Sequence, residues 1–204
     1  MKKLLVATTN PGKLAEIKRF LADLPVELVS LKDVGITKFP EETGTTFEEN
    51  AILKAKYYAG KSGLATLADD GGFEIDALFG EPGVKSHRWI DQSRESTDEE
   101  LIAYTIKRME NVPEGKRGAQ LRLVLALVLP DGEMHTTEAS VRGAVPVTPI
   151  GTRSEGFPFR SLLFLPEINK YYNHDELTDS ENATYNHRKQ ALEALKPFIK
   201  ASLC

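Results

Sequence analysis

Leu4 to Leu24 read LLVATTNPGKLAEIKRFLADL. Leu4 to Ala7 are a short apolar run of the kind that makes a buried strand. Thr8-Thr9-Asn10-Pro11-Gly12 breaks the run. Leu14, Ile17, Leu21 and Leu24 then return at helical spacing, with Lys and Glu between them. The chain therefore opens as strand, tight loop and helix. That order starts an α/β sheet rather than an all-helical or all-β fold.

Further along, Thr46 and Glu49 fit a capping box, with a helix behind it to about Lys61 and Gly63 closing it. Ala65 to Ala68 make a short strand that runs into Asp69-Asp70-Gly71-Gly72. Ser96 and Glu99 give a second capping box, before a helix to about Met109. Ala119 to Leu129 form the most apolar stretch and a central strand. Pro130-Asp131-Gly132 is a hairpin turn. The strand after it alternates and keeps one wet face. Gly151 to Phe159 is loop. Ala191, Leu192, Leu195 and Ile199 mark a C-terminal helix with Asn186 as its N-cap. Strand–helix units at the start and a long hairpin in the middle predict a mixed sheet. No linker interrupts the 204 residues, so the expectation is one domain, 1–204, with two lobes on one sheet and a cleft between them.

Composition bounds the function. Apolar residues are 41% and charged residues 27%, enough for a real core and no sign of disorder. No apolar run approaches the ~20 residues of a membrane span, and the opening MKKLLVATTN is too short for a secretory signal. The expectation is a cytoplasmic protein with no membrane partner. The single cysteine, Cys204, excludes an internal disulfide framework and a cysteine zinc site. Net charge is −4, which argues against a nucleic-acid partner and leaves single nucleotides open.

Several motifs can carry chemistry. Thr8-x-Asn10-x-x-Lys13 lies where a strand hands over to a helix, a place that favours an anion through backbone N–H groups and the helix dipole. A capped turn with a surface lysine has the same pattern. Asp69-Asp70-Gly71-Gly72 puts two carboxylates on opposite sides of an extended chain, beside glycines that admit a ligand. One or two carboxylates with phosphates and waters suit Mg²⁺. An ordinary Asp-Gly turn also has this pattern. Glu49 reads as part of its cap. Lys54 and Lys56 do not share a helix face, so at most one points into a site. Arg188, just inside a helix start, opposes the dipole, which suggests a ligand.

Taken together, Thr8-x-Asn10-x-x-Lys13, Glu42-Thr43-Gly44-x-Thr46-Phe47-x-Glu49-Asn50-Ala51-x-x-Lys54-Ala55, Ala68-Asp69-Asp70-Gly71-Gly72, Pro82-Gly83 and His187-Arg188 occur in order. Over nearly its whole length the chain resembles the inosine triphosphate pyrophosphatase family. The resemblance implies a two-lobed α/β fold with a long central mixed sheet flanked by helices. It implies a homodimer that hydrolyses ITP, dITP and XTP to monophosphate and pyrophosphate with Mg²⁺, clearing deaminated purines from the nucleotide pool. By motif position, Thr8, Asn10 and Lys13 resemble the triphosphate loop, with Lys54 beside the substrate. Glu42, Asp69 and Asp70 resemble the metal carboxylates, and Asp70 the proton acceptor. Gly71 and Arg88 fall on substrate-contacting positions, and His187 and Arg188 on the final His-Arg pair.

The base-reading end departs from the family. Its usual Gly-Phe-Gly-Tyr-Asp-Pro is here Gly156-Phe157-Pro158-Phe159-Arg160-Ser161, and its lysine five residues before the His-Arg pair is Asn182. The expectation is that Phe157 and Phe159 keep the aromatic stack. Arg160 and Asn182 then replace the family's charged pair at the purine edge. A changed specificity, the same reaction on another modified base, and a nucleotide-binding sensor without turnover are the alternatives.

Overall fold

The structure is a computed structural model that describes residues 1–173 and 176–204. Its elements are β1 (Lys3–Val6), α1 (Pro11–Phe20), β2 (Glu27–Ser30), α2 (Phe47–Ser62), β3 (Ala65–Ile75), α3 (Asp98–Arg108), β4 (Gly118–Val128), β5 (Met134–Ala144), β6 (Phe164–Leu165), β7 (Lys170–Tyr171), α4 (Asp179–Tyr185) and α5 (His187–Leu203). The strands form one mixed sheet in the order β2-β1-β3-β4-β5-β6-β7. β1 is parallel to both β2 and β3, while β5, β6 and β7 pair antiparallel. β4 turns into β5 through Pro130-Asp131-Gly132, with Leu129 N donating to Glu133 O at 2.9 Å. No helix among the described residues is long and apolar enough to cross a membrane.

The chain divides into two compact units. The first is Met1–Asp70, Leu123–Ala139 and Arg188–Cys204; the second is Gly71–Arg122 and Ser140–His187. The first unit is a sheet with apolar cores on both faces. Leu4, Val6, Leu67, Leu123, Leu125 and Leu127 pack with Ile17 and Phe20 of α1 and with Ala191, Leu195 and Ile199 of α5. The intervening residues Leu5, Ala68, Val124, Ala126 and Val128 pack with Phe47, Ala51, Ala55 and Tyr58 of α2. The two-residue period of a strand produces this division directly. Near-continuous apolar runs follow wherever both faces are covered.

In the second unit one face carries the core, formed by Phe73, Ile75, Ala119, Leu121 and Val141 against Leu101 and Ile102 of α3. Beside this core Glu74 accepts from Gln120 Nε2 at 2.7 Å and from Arg122 Nη2 at 2.6 Å. Buried Arg117 ties the end of β5 to the end of α3. It donates to Val145 O (2.8 Å), Pro146 O (3.0 Å) and Met109 O (2.6 Å).

Two local expectations are corrected. Asp69-Asp70-Gly71-Gly72 does not end a strand: β3 runs unbroken from Ala65 to Ile75. The second capping box is Thr97 with Glu100, not Ser96 with Glu99. Ser96 is instead buried, its Oγ without a hydrogen-bond partner among the described residues. The first box stands: Thr46 caps α2 reciprocally with Glu49, and Gly63 closes the helix at φ 68°. Asn186 lies between two helices, as the C-cap of α4 and the residue before α5.

Candidate active site

The β1–α1 turn is built on its own side chains. Thr8 Oγ1 accepts from Asn10 N at 3.2 Å. Asn10 is the N-cap of α1, its Oδ1 accepting from Gly12 N (2.9 Å) and Lys13 N (3.1 Å). Pro11 follows, where a missing N–H costs nothing. This cap fixes where α1 begins and so where Lys13 and Glu16, one turn apart, project.

From there a chain of buried charges runs through the first unit. Lys13 Nζ lies 2.9 Å from Asp69 Oδ2. Arg188 Nη1 donates to the same oxygen at 2.8 Å, and its Nε donates to Glu16 Oε2 at 2.9 Å. Arg188, Glu16 and Asp69 are each buried. Burial pushes the Asp69 carboxyl up, but Lys13, Arg188 and Lys54 outweigh it and hold the pKa far below the usual carboxylate range. Arg188 thus meets its unfavourable helix-start position with two protein carboxylates, where the sequence suggested a ligand.

Asp70, the next residue of β3, belongs to a different group. Its Oδ1 accepts from Lys54 Nζ at 2.7 Å, and Glu42 Oε1 lies 3.0 Å from the same ammonium. Asn50 Nδ2 approaches Asp70 Oδ2 at 3.4 Å, while Asn50 Oδ1 accepts from Gly44 N at 2.8 Å. Asn50 thereby holds the Glu42-Thr43-Gly44 segment against α2. A Cβ on Gly44 would come within 2.8 Å of Glu49 Cβ, so the close approach requires glycine. Burial raises the Asp70 pKa, with Glu42 adding to it, and the attraction of Lys54 does not cancel the rise. Burial would lower the Lys54 pKa, yet Asp70, Asp69 and Glu42 raise it on balance. Lys56 is exposed.

Among the described residues, four carboxylates (Glu16, Glu42, Asp69 and Asp70) thus face three cations (Lys13, Lys54 and Arg188). The group lacks the positive surplus that a triphosphate demands. Glu42 and Asp70, already within reach of one ammonium, fit a hard cation shared with phosphates. Among the described residues no three His, Cys, Asp or Glu side chains converge as a dedicated metal cage. Asp69 is held in the Lys13–Arg188 pairs.

The remaining candidates lie in the second unit. Gly71 is half-buried in β3, and Arg88 is exposed at the end of a 3₁₀ turn over Gly83–Arg88. Gly156, at φ 74°, donates its N–H to Asp98 Oδ2 at 2.8 Å. Phe157 is half-buried, and the Arg160 guanidinium lies over its ring, 3.7 Å from the centroid. Arg160 is buried. Phe159 is a core residue: its ring stacks on Phe73 at 5.1 Å, so the expected second stacking surface is corrected to core packing. Asn182 is also buried. Its Nδ2 donates to Leu177 O at 2.9 Å, and its Oδ1 accepts from Asn186 Nδ2 at 3.2 Å, which makes it the joint of α4. His187 Nδ1 lies 2.8 Å from the Tyr172 hydroxyl, both buried.

Sequence reasoning missed Glu16, Asn50 and Tyr172. Glu16 follows Lys13 by three residues and Asn50 precedes Lys54 by four, both spacings that share a helix face. Tyr172 has no comparable local signal.

Known proteins resemble the chain over nearly its whole length. A family model described as the Ham1 family matches residues 4–198. A dITP/XTP pyrophosphatase of Thermus thermophilus is 42% identical over 198 residues, 97% of this chain and 92% of the relative. One of Exiguobacterium sibiricum is 38% identical over 201 residues, 98% of each chain. Among solved structures, a HAM1 protein from Coxiella burnetii superposes with a TM-score of 0.84 at 31% identity, covering 99% of this chain and 100% of that one.

Proposed function

The chain belongs to the Ham1 family, and from that premise we propose that it is a Mg²⁺-dependent nucleoside triphosphate pyrophosphatase acting on ITP, dITP and XTP. The observation that carries the proposal is the convergence of Glu42 and Asp70 on Lys54, beside the Lys13–Asp69 pair.

Lys13 is the cation suited to reach a phosphate. Its side chain is 24% exposed, against 5% for Arg188, so Arg188 keeps Asp69 compensated when Lys13 turns to a ligand. Lys54 neutralises a second phosphate oxygen or yields to a metal. Asp70 takes the proton of the attacking water: Lys54 does not cancel the effect of its burial, whereas Lys13 and Arg188 overcome that of Asp69, so Asp70 is the more basic of the two adjacent aspartates. The water oxygen bonds to the α-phosphorus, the bond to the bridging oxygen breaks, and pyrophosphate leaves. Bound at Glu42 and Asp70, Mg²⁺ supplies neutralising charge and acidifies water. On the same reading the enzyme is a cytoplasmic homodimer that clears deaminated purines.

Pyrophosphate release from ITP, dITP, XTP, ATP and GTP, with and without Mg²⁺, tests this. Rapid release from the first three, dependent on Mg²⁺, is expected. Binding without release would overturn it in favour of a sensor. With Phe159 withdrawn into the core against Phe73, a second reading is the same reaction on another modified base, and a modified-base substrate preferred tenfold over ITP would establish it.

A further inference from the structure

The segment from Gly156 to Leu162 carries two aromatic rings and one guanidinium, and the fold treats the rings differently. Phe159 is turned into the core against Phe73. Phe157 lies outside that core, half-buried. Only Phe157 can offer a ring face to a ligand. One of its faces is already taken. The Arg160 carbon Cζ lies 3.7 Å from the ring centroid, the spacing of stacked planes, and the Tyr172 ring is 5.7 Å from the same carbon.

The stack is fixed from both ends. Arg160 N donates to Phe157 O at 3.1 Å, which closes the 3₁₀ turn that sets the guanidinium under the ring. Upstream, the Gly156 N–H is held by Asp98. Arg160 is buried, so its plane does not sweep through solvent as a surface arginine does. A guanidinium is flat, delocalised and weakly hydrated, and it stacks on aromatic faces; an ammonium has no plane to offer.

We infer that Arg160 is a positioning residue for the nucleobase, acting through Phe157. It backs the ring in one orientation so that a purine stacks on the opposite face. The inference rests on the reading of the chain as a purine nucleotide hydrolase. It assigns Arg160 to the plane of the base and not to its edge. Every purine has a π-face, so this contribution does not distinguish hypoxanthine from adenine. Discrimination between bases is left to other groups.

The test compares dissociation constants of ITP, ATP and Mg²⁺–pyrophosphate by calorimetry. The proteins are the wild type, Arg160→Lys, Phe157→Leu and the double variant. Arg160→Lys and Phe157→Leu are each expected to weaken ITP and ATP alike, by roughly 5- to 20-fold. The double variant should bind ITP no more weakly than Phe157→Leu alone, because one residue acts through the other. Pyrophosphate, which has no base, should keep its affinity, and this also reports that the variants fold. Should Arg160→Lys fail to fold, Arg160→Gln carries the same comparison. Three results would overturn the inference: additive losses in the double variant; a changed ITP-to-ATP ratio in Arg160→Lys, which would make Arg160 an edge reader; or tighter ITP binding in Arg160→Lys, which would mean that the guanidinium occupies the place of the base. A wild-type protein that releases no pyrophosphate from ITP counts against the function proposed above and leaves the affinity comparison intact.

Discussion

Arg188 and Glu16 are 172 positions apart in sequence and meet in a buried ion pair at 2.9 Å. Because Arg188 also holds Asp69, removing it takes one buried cation away from two buried carboxylates at once. Breaking a buried pair in this way costs about 3–5 kcal/mol. Arg188→Met should therefore lower the urea midpoint strongly, and Glu16→Gln, which keeps a hydrogen-bond acceptor, should do so less. Equal stability of Arg188→Met and wild type would show that the chain of charges is not structural.

Asp70→Asn separates stability from activity. Burial raises the pKa of Asp70, so folding disfavours its ionised form. The sign follows: this group's contribution to stability falls as pH rises from the unfolded value through the higher folded one. Removing the charge should leave the melting temperature at pH 7 unchanged or higher. Turnover should drop ~10²–10⁴-fold through loss of the base. Near-normal turnover would remove Asp70 from that role.

Lys13→Ala should weaken triphosphate binding about 10- to 100-fold, the range of a charge-assisted hydrogen bond. Phosphates are common to all nucleotides, so the ratio of kcat/KM for ITP over ATP should hold. A changed ratio at constant triphosphate affinity would contradict the placement of Lys13.

Glu100 offers a test in acid. Its side-chain bonds from Arg94, and then the Thr97 N–H, lower its pKa to about 2. A depressed carboxylate stabilises the fold fully above its unfolded pKa of about 4.3, and the contribution fades as pH falls through the folded value. The melting-temperature gap between wild type and Glu100→Gln should thus be constant above about pH 5 and close toward pH 2. A gap that persists at pH 2 would assign the effect to something other than the charge.

Phe79 is fully exposed and sits at φ 54°, a left-handed conformation that bulky residues avoid. Asparagine tolerates that conformation, and no packing is lost with the ring. Phe79→Asn should raise stability by about 1 kcal/mol, read as a higher thermal midpoint. A lower midpoint would show that the ring contributes to the fold.

Much of the first unit was legible from the amino-acid order. The β1–α1 turn, the Thr46–Glu49 cap, the β4–β5 hairpin and α5 all lie where periodicity and turn residues put them. The opposed faces of Asp69 and Asp70 followed from the period of two. What failed has physical causes. Aspartate and glycine are poor strand formers, so 69–72 reads as a break. Lys13, Arg188 and Lys54, distant in sequence, compensate the carboxylates and let β3 continue. Ser96–Glu99 and Thr97–Glu100 are overlapping matches to one capping pattern, and local sequence cannot choose between them. In the structure Arg94 grips Glu100 at 2.7 Å beside the box that forms, while Arg153 engages Glu99 at 2.7 Å. The roles of Phe159 and Asn182 likewise depended on neighbours that no spacing rule supplies.

The unbroken course of β3 has a genetic corollary. Insertion or deletion of one codon between Ala65 and Asp69 would turn every later side chain of the strand to the other face. An insertion would bring Asp69 to the place that faces Lys54, a deletion would bring Asp70 to the place that faces Lys13 and Arg188, and a length change ahead of Leu67 would also move Leu67 and Ala68 to each other's core. Point substitution changes one group at a time, whereas a length change exchanges the whole set at once. Gene variants that retain function should therefore vary in letters across this segment and never in length.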